Sequence, residues 1–74
     1  MTGEQGVQYL EQSVAACRAA LEVRTRQQLP QPWAMTENNL GIVLTVLGER
    51  VSGEKGAQYL QESVEAIEKI AKVA

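Results

Sequence analysis

A repeat inside the chain narrows its possible folds more than any other feature. Residues 3–23 (GEQGVQYLEQSVAACRAALEV) realign with residues 53–73 (GEKGAQYLQESVEAIEKIAKV) at an offset of 50, and 10 of the 21 paired positions are identical. Among them are Gly6/Gly56, Tyr9/Tyr59, Leu10/Leu60, Ser13/Ser63 and Val14/Val64. Self-similarity at such a period marks a structural unit that cannot bury its apolar face alone and stacks on its neighbours to do so. An interaction module is the expectation that follows.

The 74 residues suffice for one small domain. A chain of this size buries only about 60 % of the surface its unfolded form exposes, so its core needs support. A single cysteine, Cys17, excludes an internal disulfide, and the absence of histidine leaves no ordinary zinc ligand set, so no metal and no cofactor are expected. Oligomerisation or neighbouring repeats remain. The net charge of −2 has its acids and bases interspersed, without the basic stripe that nucleic-acid binding requires. Arg18, Arg24 and Arg26 form the densest basic group and read as a solvated helix end. The start Met1-Thr2-Gly3-Glu4 lacks the basic and apolar runs of a secretory signal, and the most apolar stretch, 40–47, is far too short to cross a bilayer. One thiol and no export signal point to the cytoplasm, with no membrane partner.

Three helices are expected, at about 4–28, 32–49 and 54–73, in a single domain spanning 1–74. Val7, Leu10, Val14, Cys17 and Leu21 are spaced three, four, three and four apart, one stripe along a helix; Ala57, Leu60, Val64, Ile67 and Ala71 repeat it. Thr2 with Gln5, and Ser52, suit the helix starts, while Gly6 and Gly56 weaken the opening turns. Pro30 and Pro32 end the first helix, and Pro32 suits the first turn of the next. Gly48 provides either a left-handed stop or a small residue at a tight helix crossing. The connectors expected, 24–31 and 49–56, are both long. The middle helix carries Leu40, Leu44 and Leu47 on one face and Met35, Ile42, Val43 and Val46 on another, and from 40 to 47 its only polar side chain is Thr45. A helix apolar all round expects cover all round, which two flanking helices do not supply.

With the helices placed, residues 33–73 resemble a tetratricopeptide repeat. Asn39-Leu40-Gly41 is similar to that family's Leu-Gly pair, Gly48 to its turn glycine, and Ser63 and Ile67 to its small and bulky positions on the second helix. The repeat spaces at 50 rather than about 34, and the phrase WAMTENNLG, residues 33–41, resembles a bacterial long-repeat variant found in large signalling proteins. The resemblance implies an all-α, three-helix fragment of a right-handed α-solenoid, about one and a half repeats. It also implies that Met35, Asn38, Ile42, Thr45 and Val46 line a concave, partner-binding face. The function expected is protein–protein interaction, most of all with a second copy of itself. The alternatives are a peptide-binding adaptor using that same face, or a structural fragment, designed or truncated, without a ligand. No enzyme site is expected, since the only thiol lies on an apolar stripe and the carboxylates look outward. Cys17 reads as a small core hydrophobe, because its counterpart in the repeat is Ile67. Trp33 reads as an anchor over the proline-rich connector, and Tyr9 and Tyr59 as closing the contacts between helices.

Overall fold

Residues 3–72 are described by a computed structural model. They form three α-helices, α1 (Gly3–Val23), α2 (Pro30–Arg50) and α3 (Gly53–Ala71), with no strand among the described residues. The fold is therefore all-α, as the periodicity indicates. Helix α2 is central: both others pack on it, and no Cα of α1 comes within 8 Å of one in α3. Gly41 lies beside Ile67 and Gly48 beside Leu60, so α3 runs antiparallel to α2. Contacts of Glu11 with Tyr59 and of Arg18 with Glu62 show α1 running parallel to α3.

The core is built where the leucine spacing puts it. Leu44 and Leu47 are 1 % and 0 % exposed, Leu40 joins them, and Val14 meets them from α1. Each fully buried leucine contributes roughly 1.5–3 kcal/mol relative to an exposed one. Val7, Leu10, Cys17 and Leu21 pack against this cluster, so the α1 stripe covers one flank of α2. Cys17 is half-buried in that stripe rather than fully enclosed. Cys17→Val is expected to leave the thermal midpoint within about 2 °C of the native chain, because the site takes a small apolar group; a larger fall in a calorimetric scan would show that the thiol does more than fill space.

Helix α3 departs from expectation. Its stripe of Ala57, Leu60, Val64, Ile67 and Ala71 is not the face turned to the core: all five are exposed, and Gly56, Ser63 and Ala66 are buried instead, with Tyr59 packed on the core beside them. The reason is close approach. A Cβ at Gly41 would sit 2.8 Å from Ile67 Cδ1, one at Gly48 would strike Leu60, and one at Gly56 would strike the carbonyl oxygen of Val51. Small residues on both helices let the backbones draw together, and large side chains at 60 and 67 are pushed to the edge of the contact. The Ser63 hydroxyl donates to the Gly41 carbonyl at 2.8 Å. Thr45 Oγ1 lies 2.6 Å from Ser63 Oγ and 2.9 Å from that same carbonyl, which closes the seam with a small polar network.

Several boundaries also shift. Helix α1 stops at Val23, not near 28, because Thr25 closes a turn: its hydroxyl accepts from Gln28 N–H at 3.2 Å and its carbonyl from Leu29 N–H at 2.8 Å. Such local bonding by threonine competes with helix. Pro30, rather than Pro32, opens α2. Gly48 has no left-handed backbone, so its role is the tight crossing; only Gly53, at φ 77°, has a positive φ among the described glycines. The helices run through Gly6 and Gly56 instead of starting after them. Ser52 holds the cap position of α3 but its hydroxyl makes no capping bond, and the link from α2 to α3 is just Val51 and Ser52, not a long hinge. Tyr59 packs on the core and bonds Glu11 of α1, closing a contact between helices as expected, whereas its counterpart Tyr9 is 61 % exposed. Thr2 and Val73 lie outside the described residues.

Candidate functional site

Helical spacing sets Met35, Asn38, Ile42, Thr45 and Val46 on one side of α2, away from the leucine core. Met35, Asn38 and Ile42 are exposed, Val46 is half-buried, and Thr45 is half-buried with its hydroxyl taken up in the seam with Ser63. Four of the five are thus available to a partner, and Thr45 instead braces α3. Asn39 lies exposed next to them. The extended surface has a part the sequence did not flag. Leu60 and Ile67 edge the seam at Gly48 and Gly41, Val64 lies between them on α3, and Ile42 follows Gly41 on α2. Ile42 is 54 % and Val64 57 % exposed, so apolar side chains from two helices border one seam in the open. The signal was present in the repeat, since these positions match the α1 stripe that does meet an apolar helix.

The other side of α2 forms the floor of a groove walled by α1 and α3. Arg18 Nη2 bonds Glu62 Oε2 across it at 3.0 Å, and the Tyr59 hydroxyl donates to Glu11 Oε2 at 3.0 Å, with Lys55 Nζ 3.5 Å from the same oxygen. Ion pairs this exposed each contribute little, about 0–1 kcal/mol. Burial, and next the Glu11 carboxylate it donates to, push the Tyr59 phenol above its ordinary value of 10.0. A raised phenol favours the protonated folded form, so its contribution to stability is complete below pH ~10 and is lost as pH rises through the folded value. Tyr59→Phe is expected to remove the highest-pH component of the phenolate absorbance titration; an unchanged high-pH limb would place the phenol in open solvent.

On either side of the Arg18–Glu62 bridge the groove widens, to about 490 Å³ over Leu47 and Tyr59 and about 280 Å³ over Leu40 and Leu44. Glu37 lines the smaller part. Its side chain is 2 % exposed, contrary to the outward placement expected of the carboxylates, and its buried Oε2 has no hydrogen-bond partner. Lys69 Nζ stands 4.0 Å away, too far for a hydrogen bond. The register signals this position in retrospect, because 37 precedes Leu40 by three residues and Leu44 by seven. Among the described residues no three His, Cys, Asp or Glu side chains gather to hold a metal ion, and no helix is long and apolar enough to cross a membrane. No family model, curated protein or solved structure matches the chain.

Proposed function

We propose that the chain is a tetratricopeptide-like protein-interaction module that associates with a second copy of itself through the outer α2–α3 face. The observation that carries this reading is an inequality between two equivalent surfaces. The apolar stripe of α1 is packed on α2, whereas the matching stripe of α3 stays exposed, Leu60 42 %, Val64 57 % and Ile67 43 %, next to Ile42. A sequence that keeps the same apolar positions in both copies, yet covers those of α3 only in part, leaves the remainder for something outside. The placement of Gly41 and Gly48 at a close helix crossing supports the family resemblance drawn from the Leu-Gly pair and the turn glycine.

Size is compatible with this reading. A stable interface buries at least about 1,000 Å², near 500 Å² from each partner, against a total accessible surface of 5132 Å². Molar mass by light scattering across a dilution series tests the proposal. A mass of twice the 8.1 kDa chain at high concentration, falling on dilution, is expected; a folded chain that stays at the single mass throughout would end it.

A further inference from the structure

We propose that Glu37, in the groove between α1 and α3, is a seat for an arginine side chain presented by a different protein. A carboxylate withdrawn from water needs donors close by, and native structures nearly always provide them. Glu37 Oε2 has none within hydrogen-bond reach, although the side chain is 2 % exposed. The two cations of this part of the groove do not supply the want. Arg18 is committed to Glu62 at 3.0 Å, and Lys69, its side chain 64 % exposed, comes only to ion-pair distance of Glu37 Oε2, 4.0 Å, without a hydrogen bond.

The surroundings fit a guanidinium. Glu62 and Glu65 line this part of the groove together with Glu37, so acids outnumber bases there by three to two, with Arg18 bonded to Glu62 and Lys69 at the limit of ion-pair distance from Glu37. Leu40 and Leu44 supply an apolar floor on which the methylene stem of a long cation can lie. A guanidinium is planar, weakly hydrated and carries five donors, so it meets a buried carboxylate with two parallel bonds, where a strongly hydrated ammonium makes a single-point contact. The partner is a different protein because the groove and the Ile42/Val46 face lie on opposite sides of α2. Association through that face leaves the groove open, and both can be filled at once.

The test is amide NMR of the isotope-labelled full chain, titrated with a blocked tripeptide, acetyl-Ala-Arg-Ala-amide. Twins carrying citrulline or lysine in place of the arginine serve as controls. Shifts centred on Glu37, Glu65 and Ala66 are expected with arginine, with affinity weakened about tenfold or more for the lysine and citrulline twins and for Glu37→Gln. Equal binding of the citrulline or lysine twin, unchanged affinity in a folded Glu37→Gln, or shifts confined to other surfaces would overturn the proposal. Should Glu37→Gln fail to fold, the three peptides on the native chain decide the matter by themselves.

Discussion

Gly56→Ala is expected to destabilise the chain by about 3 kcal/mol, the opposite of what alanine does in an unconstrained helix. An interior glycine ordinarily costs a helix about 1 kcal/mol relative to alanine, so propensity alone predicts a gain. Packing reverses the sign. A Cβ at position 56 would overlap the Val51 carbonyl and stand 3.2 Å from the Gly48 carbonyl oxygen, and both obstacles are backbone. Neither can swing aside, because Val51 belongs to the two-residue link that ties α2 to α3 and its N–H is bonded to Leu47 O at 2.8 Å. Native stability of about 0.05–0.15 kcal/mol per residue leaves a chain this short little reserve. Chemical denaturation should therefore show the midpoint of Gly56→Ala moved to much lower denaturant, with little stability left at room temperature. Gly48→Ala should lose less, since the nearest atoms it meets belong to the partly exposed side chain of Leu60, and the one backbone neighbour, the Gly56 carbonyl oxygen, stands 3.2 Å away. Gly3→Ala, with nothing within 4 Å, should be neutral or mildly stabilising. If all three melt together, the close crossing of α2 and α3 is not what holds this end of the molecule.

How far the fold was legible follows from which rule governs each segment. In α2 the Leu40/Leu44/Leu47 spacing named the core correctly, because a central helix shows its neighbours its most apolar arc. In α3 the same rule misled. Its strongest apolar stripe is not its buried face, since the backbone is drawn in by Gly41, Gly48, Gly56 and Ser63, and small residues carry no hydrophobic signal of their own. A tight crossing was one of the two roles open to Gly48, but Gly41 and Gly56 were not joined to it, so the extent of the close contact stayed hidden. Thr25 ended α1 early through bonds that periodicity does not register. Glu37 was hidden by composition: in the run Thr36-Glu37-Asn38-Asn39 every residue looks solvated, and only its register with Leu40 and Leu44 sets it inside. The proposed interaction face was half-legible, with Met35, Asn38, Ile42 and Val46 named from one helix and the α3 contribution missed for the reason just given.

Ile42→Lys combined with Val64→Lys is expected to weaken self-association by a hundredfold or more while the helices stay folded. Both side chains are more than half exposed, so a charge at either position remains hydrated in the single chain and costs its stability little. In the associated form each lysine would be buried without a partner, and in a two-fold interface each faces its own copies. An unpaired charge in a closed interface costs several kcal/mol, and each 1.4 kcal/mol is about tenfold in affinity, which gives the size stated. The matching acidic pair, Ile42→Glu with Val64→Glu, should be monomeric for the same reason. Mixing the two variants then separates a specific face from general stickiness. Lysines of one copy meet glutamates of the other, and a mixed dimer should form where neither variant pairs alone, with salt weakening it. Circular dichroism that holds its helical signal, a single-chain mass for each variant and a double mass for the mixture make up the expected result. A dimer that persists in the lysine variant would move the contact off the α2–α3 seam, and loss of helix in either variant would show that Ile42 and Val64 support the fold from within.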